Sequence, residues 1–456
     1  MKTLVMKFGG TSIGNPDAIR RSAQLVAGQK GIYDGIVVVV SALNGVTNLL
    51  IDSAREAAQA SLAQIEIGIQ SYYDRHARLI EALQFDYQEE KDLILKLEQR
   101  TSQFRTILAN VHRIGHLEPA MQDAAASLGE RMSAPILAAL LRQVNILAHE
   151  VDASQLIVTD ENYTRASVQF NITEEHIITQ ILPILEKGII PIVTGFIGAT
   201  RSGNVTTLGR GASDYSSTIL GAALNAREIW NWTDVDGVMN ADPRLEPQAS
   251  VIPALSYETM NILAKYGEKV LHPETLRPVS SLGIPLRVRN SFHPDSPGTL
   301  IRSKQPVQHV SPLAVVSKSD LILVEKENTS NDIVECLPGY NLDSLDPHFQ
   351  VCYAIPAEKV GDLGGLSNSE HARETPNTSL ISIIGGTLPA QMAVFFLNAA
   401  LITVLAVRVN SLDRCTSVSV REKDTARAVQ VLYDSLIEKA PGNPGVNSLI
   451  NAWSTI

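Results

Sequence analysis

Ile36–Val40 reads Ile-Val-Val-Val-Val, and a run of this kind cannot be wetted on either face. Successive side chains of a strand point to opposite sides, so a half-exposed strand alternates apolar and polar residues. Five β-branched residues in a row require cover on both faces, which is the condition of a parallel sheet sandwiched between helices. Ile189–Thr194, Glu228–Trp232 and Pro285–Val288 are further strand candidates, separated by stretches of helical period. The first 300 residues therefore predict an α/β fold with a mostly parallel sheet. Sheets of that type collect ligands beyond the carboxyl ends of their strands, so the chemistry is sought in the turns that follow them.

Residues 50–120 depart from this alternation: Ala, Gln, Glu, Leu and Arg dominate, as in an excursion of two or three helices. Near 303–312 the pattern breaks into a polar connector with Pro306 and Pro312. Beyond it, Leu313–Lys318, Leu321–Glu325 and Gln350–Ile355 read as strands, and the polar stretch Gly361–Thr378 as a further connector. Ser379–Ile384 (strand), Ala390–Ala400 (helix), Ile402–Val409 and Thr416–Arg421 (strands) and Asp424–Lys439 (helix) then follow in βαββα order. That order suits a small ferredoxin-like α+β unit.

A net charge of −10 over 456 residues argues against nucleic acid or an anionic membrane as partner. The apolar stretch Ala393–Val407 is too short to span a bilayer and is interrupted by Asn398. Cys336, Cys352 and Cys415 are an odd number without close pairing, which suggests neither a disulfide framework nor a zinc site. With a strand beginning three residues from Met1 and no room for a signal peptide, a cytoplasmic location is expected.

Six segments hold the chemistry. Lys7-Phe8-Gly9-Gly10-Thr11-Ser12 links a first strand to a helix opened by Asn15-Pro16-Asp17. It offers a lysine and bare backbone amides to an anion, without the Gly-Lys pair of a P-loop. Ser41-Ala42-Leu43-Asn44-Gly45-Val46-Thr47-Asn48 follows the Ile36–Val40 strand and adds two hydroxyls. Gly129-Glu130-Arg131 sets a carboxylate at the head of an apolar helix. Thr206-Thr207-Leu208-Gly209-Arg210-Gly211-Ala212-Ser213-Asp214-Tyr215 surrounds an arginine fork with small residues. Thr233-Asp234-Val235-Asp236-Gly237 runs on to Asp242-Pro243-Arg244 and could face Mg²⁺–nucleotide oxygens; Gly267-Glu268-Lys269-Val270-Leu271-His272-Pro273 adds a lysine.

In this order and spacing, KFGGTS, SxxxGVTN, GERMS, GFIG…TTLGRGxSDY, TDVDGV…DPR and KVLHP resemble the aspartate kinases of the amino-acid kinase family across residues 1–302. LISIIGG…LNAALITVLAV…SVSVREKDTARAVQVLY resembles the second of the paired ACT domains found there. The resemblance implies an αβα sandwich at 1–302, a linker at 303–312, a degenerate first ACT-like unit at 313–378 and a second at 379–456. It implies ATP-dependent phosphorylation of the L-aspartate β-carboxylate, the first step towards lysine, threonine and methionine. Lys7 and Asp214 are then catalytic, while Ser41, Thr47, Glu130, Arg210 and Ser213 bind the amino acid. Lys7, Gly9, Gly10, Ser12, Thr233, Asp234, Met239, Arg244 and Lys269 border the nucleotide, with Mg²⁺ carried on the ATP phosphates and no protein metal site. A homodimer through the ACT sheets, extendable to a tetramer, is the implied assembly.

The expected chemistry is economical. An aspartate side chain is ionised at neutral pH and needs no general base, so the protein must mainly hold two anions together. Ala212 stands where the family usually has a second glycine, and Met239 where it commonly has tyrosine. Neither Asn328–Asp332 nor Gly385–Pro389 has the expected form of an effector loop, so weak or altered feedback control is expected. Sister kinases of acetylglutamate, glutamate or uridylate share the fold, but GERMS, TTLGRGxSDY and the tail favour aspartate. Two alternatives stay open: a related amino-acid kinase of specialised metabolism and a catalytically dead amino-acid sensor.

Overall fold

A computed structural model describes residues 1–209, 211–303, 312–326, 339–346, 348, 351–358, 372–386 and 388–437. It divides into two compact units, of which the first comprises Met1–Gly237, Pro253–Tyr257 and Leu271–Ser303. In chain order the elements up to Ser303 are β1 (Thr3–Phe8), α1 (Gly10–Ile13), α2 (Pro16–Ala27), β2 (Gly35–Val40), α3 (Val46–Glu56), α4 (Leu62–Leu83) and α5 (Tyr87–Ile114). There follow α6 (Pro119–Ala126), α7 (Glu130–Gln143), β3 (Ala148–Val151), β4 (Val158–Thr159), α8 (Phe170–Glu186), β5 (Ile190–Thr194), β6 (Ile197–Thr200) and β7 (Val205–Thr207). The last are α9 (Ala212–Ala223), β8 (Glu228–Thr233), β9 (Ala254–Ser256), α10 (Tyr257–Tyr266), α11 (Pro273–Ser280), β10 (Leu286–Asn290) and β11 (Thr299–Arg302).

Eight strands form one sheet in the order β3-β5-β2-β1-β8-β10-β11-β9. All neighbours in it are parallel except β10 and β11. Every residue of β1 and β2 is buried, as the unbroken β-branched run requires. Helices α3 to α5 are the predicted excursion, and Tyr72, Phe104 and Leu108 join them to the core beneath the sheet. A three-stranded sheet, β4-β6-β7, leads into α9.

The second unit holds Val238–Ile252, Glu258–Val270 and the chain from Lys304 onward. Its elements are β12 (Ala314–Lys326), β13 (Tyr340–Ser344), β14 (Val351–Pro356), β15 (Ala372–Ile384), α12 (Ala390–Ala399), β16 (Val404–Asn410), β17 (Cys415–Arg421) and α13 (Thr425–Leu436). The strands close a barrel in the order β12-β14-β13-β16-β17-β15, so strands before and after residue 378 share one hydrogen-bonded surface. The segment Val238–Ile252 is tied in by Val315 N donating to Asn240 O (2.8 Å), by Tyr433 Oη donating to Gln248 O (3.0 Å), and by Ala241 in the apolar core.

Two local expectations are corrected. Leu313–Lys318 and Leu321–Glu325 form one strand, β12, whose register slips at Lys318–Leu321, where Asp320 adopts φ +60°. One such residue is a bulge, which bends a strand without ending it. Ala372–Thr378, expected as connector, is the first half of β15. Its polar residues pair with β12, and Arg373 holds Glu325 at 2.6 Å (Nη2 to Oε2). Cross-strand charge pairing supplies there what apolar alternation did not. Residues 304–311 of the predicted linker 303–312, with Asn328–Asp332, Thr387, Lys439 and Cys336, lie outside the described residues. Among the described residues no helix is long and apolar enough to cross a membrane.

Candidate active site

Because β1, β2 and β8 run parallel and in register, the turns after them open on one edge of the sheet. Lys7 lies one residue before the end of β1, opposite Val39 of β2 and Asn231 of β8. Its Nζ is 2.5 Å from Asp214 Oδ1, the two side chains being only 11% and 14% exposed. Asn231 Nδ2 donates to the same aspartate oxygen at 3.3 Å, and Ser217 Oγ to Asp214 O at 2.7 Å. Asp214 is thus held from strand and helix, and it orients the lysine.

The glycine turn passes closely over its neighbours. A Cβ at Gly10 would lie 2.9 Å from Ala42 O, and one at Gly9 3.7 Å from Lys7 Nζ. The amides of Gly10 and Thr11 open α1, so they have no acceptor within that helix. Ser12 is different. It is fully buried, its Oγ 2.9 Å from Ser291 Oγ and its carbonyl accepting from Ser22 Oγ at 2.7 Å. Its side chain packs the turn down rather than facing the opening.

Glu130, the first residue of α7, is 2% exposed. Its Oε1 accepts from Ala42 N at 3.0 Å, while Oε2 is buried without a partner among the described residues. Burial pushes the carboxyl up to about 8, against the smaller opposing pull of the Ala42 amide. Gly129 is required beside it, since a Cβ there would come within 2.5 Å of Ala42 Cβ. The turn that carries Ala42 also brings half-buried Ser41, whose carbonyl accepts from Ser133 Oγ at 2.6 Å, and Thr47 at the start of α3.

Arg210 lies outside the described residues. On either side of it Gly209 and Gly211 take φ +86° and +69°, and a Cβ at Gly211 would meet His272 Cβ at 2.9 Å. Ser213, in the first turn of α9, is 9% exposed. Ala212 is buried at the first position of that helix.

Thr233 ends β8, and its hydroxyl donates to Asp234 Oδ1 at 3.2 Å. The turn is braced from β10: Asn290 Nδ2 donates to Asp236 Oδ1 at 2.8 Å, and Ser291 N to Thr233 O at 2.9 Å. The hydrogen bond from His293 holds the Asp236 carboxyl below its ordinary value. The other expected nucleotide residues belong to the second unit. Met239 is half-buried in a bridge to Val251, and Lys269 is exposed. Arg244 grips Asp242 through Nε (2.9 Å) and Nη2 (2.6 Å), which draws the Asp242 carboxyl down.

Asn231 and Ser291 were missed in the sequence. Asn231 had left a signal, a single amide in the strand Glu228–Thr233 between two buried tryptophans. Ser291 had left none, because its contact with Ser12 spans 279 residues.

Comparison with known proteins bears on the family and the fold. The Amino acid kinase family matches residues 2–290. The lysine-sensitive aspartokinase 3 of Escherichia coli is 33% identical over 301 residues, 66% of this chain and 64% of that protein. A bifunctional aspartokinase/homoserine dehydrogenase 2 of Arabidopsis thaliana is 27% identical over 464 residues, 94% of this chain and 50% of that protein. The chain thus spans about half the length of that relative. The crystal structure of E. coli aspartokinase III in complex with aspartate and ADP superposes with a TM-score of 0.81 at 25% identity, covering 95% of this chain and all of that one. Taken with the parallel sheet and the turns at its carboxyl edge, the match over most of the chain makes this protein a member of the amino acid kinase family.

Proposed function

We propose that the protein is an aspartate kinase, which transfers the γ-phosphoryl group of ATP to the β-carboxylate of L-aspartate and forms 4-phospho-L-aspartate. The observation that carries this reading is the buried Oε2 of Glu130, which has no partner among the described residues. A buried carboxylate with one open oxygen calls for a cation. The α-ammonium of an amino acid supplies it, with Arg210 as the fork for its α-carboxylate and Ser41, Thr47 and Ser213 lining the pocket. The relative solved with aspartate and ADP supports the choice of ligands.

Lys7 then meets the phosphoryl group in transfer, and Asp214 fixes the lysine at 2.5 Å. A β-carboxylate oxygen attacks the γ-phosphorus, the bond to the β,γ-bridging oxygen breaks, and ADP leaves with that electron pair. No proton has to be removed from the nucleophile. The amides of Gly10 and Thr11 and the Lys7 ammonium are donors suited to phosphate oxygens, the Gly9 amide being held by Trp232 O at 3.1 Å, and Thr233, Asp234, Met239, Arg244 and Lys269 are the expected nucleotide border. Bound to the ATP phosphates, Mg²⁺ would neutralise charge that builds up in transfer.

Residues 1–302 act as kinase domain in this reading, with 313–378 and 379–456 as ACT-like units that support a homodimer in the cytoplasm. Saturating lysine and threonine, singly and together, should leave most of the turnover intact. Strong inhibition by either would refute that part.

The test of function is ATP turnover with L-aspartate, the acyl phosphate being trapped by hydroxylamine, with L-glutamate and N-acetylglutamate in parallel. Hydroxamate from aspartate alone is expected. Turnover confined to another acceptor would point to a kinase of specialised metabolism, and none with any acceptor to a sensor.

A further inference from the structure

Asp123, in α6, is 1% exposed and belongs to none of the recognised motifs. Its Oδ1 accepts from Thr207 Oγ1 at 2.7 Å, and its Oδ2 from the amides of Thr207 (2.9 Å) and Thr164 (2.8 Å). Burial raises the carboxyl above its ordinary value, while these three bonds oppose the rise. A carboxylate so enclosed holds its donors rather than solvent or another charge.

What it holds are two loops. Thr207 is the last residue of β7, from which the chain runs through Gly209 and Gly211 to Ser213 and Asp214 on α9. Thr164 adopts φ +70°, a left-handed backbone that a β-branched residue takes only under constraint. The two loops lie against each other: a Cβ at Gly209 would meet Thr164 O and Arg165 Cγ, each at 3.6 Å, and Ala166 N donates to Thr207 O at 2.9 Å. The far end of the β7–α9 segment is anchored separately, through Asp214 to Lys7 and Asn231. Glu130, on the next helix, is only seven positions beyond Asp123.

We infer that Asp123 is a positioning residue that sets the amino-terminal end of the β7–α9 segment against the amino-acid pocket, so that its loss weakens binding of the acceptor without slowing phosphoryl transfer. Asp123 reaches the acceptor only through that segment, whereas Asp214 keeps its own anchors. This rests on the reading of the pocket as an aspartate site.

The test uses the full chain with Asp123→Asn and the milder Thr207→Val, which removes one of the three bonds and serves if the first variant does not fold. The KM for aspartate should rise roughly tenfold or more in Asp123→Asn and a few-fold in Thr207→Val, with kcat and the KM for ATP within about twofold of the parent. Amide hydrogen exchange, measured without substrate, should accelerate in peptides covering 160–166 and 205–209 and not elsewhere. A fall in kcat at unchanged aspartate KM would overturn the inference, as would unaltered exchange in both peptides. If the parent protein does not phosphorylate aspartate, the functional reading fails, and the exchange experiment alone decides whether Asp123 holds these loops.

Discussion

Lys7 and Glu130 are both buried ionisable groups at the same edge of one sheet, yet among the described residues only one finds an opposite charge. Lys7 has Asp214 at 2.5 Å; among the described residues Glu130 has one amide on Oε1 and nothing on Oε2. The paired charge is in place before substrate arrives, so its energy goes into geometry. The half-satisfied charge is destabilised in the free protein, as its upward shift to about 8 records, and regains that cost when a cation enters. On the proposed reading, the comparison separates a group that organises transfer from one that selects the ligand.

The sharpest way to break this contrast is Lys7→Ala. Hydroxamate formation should fall by about 10³-fold or more, because a preorganised cation acts where charge develops. A variant that keeps its turnover removes Lys7 from the chemistry. Glu130→Gln should act on the other side, raising the aspartate KM by roughly 10²-fold while the thermal midpoint near neutral pH holds or rises, since the amide is neutral without having to keep a proton that the unfolded chain releases. A lowered midpoint with unchanged KM would make Glu130 structural.

The pH dependence sharpens the same point. With the Glu130 carboxyl raised from 4.5 to about 8, the folded chain keeps a proton that the unfolded chain has lost between those values. The contribution of this group to stability is therefore complete below about pH 4.5 and is lost as pH rises through about 8, by up to roughly 1 kcal/mol per pH unit. Urea denaturation of the parent and Glu130→Gln should diverge across that window and run parallel outside it. Aspartate should bring its ammonium to the ionised form, so calorimetry near neutral pH in buffers of different ionisation enthalpy should detect proton release. No release would mean that the ligand does not reach Glu130.

The smallest effect is expected from Ala212→Gly. Ala212 is buried at the start of α9 and forces no strained backbone there. The variant should turn over within about twofold of the parent and lose around 0.5 kcal/mol of stability, the helix cost of glycine. A large gain in kcat would show that this methyl displaces the loop.

Much was legible along the chain because its signals are local. Unbroken β-branched runs specify strands covered on both sides, glycines announce turns where a Cβ has no room, and a carboxylate at a helix start needs only its own neighbours. The parallel sheet and the turns at its edge follow from such patterns, whereas the site roles of Lys7, Glu130 and Asp214 are what the family resemblance implies. Long-range packing settled the remainder. Ser12 turns inward because Ser291, far along the chain, meets it, and Asp123 matters because two distant loops converge on its oxygens. The polar half of β15 becomes a strand because β12 offers a partner. The open oxygen of Glu130 is of the same kind: its charge could be read from the residue type, but its lack of a partner depends on everything folded around it.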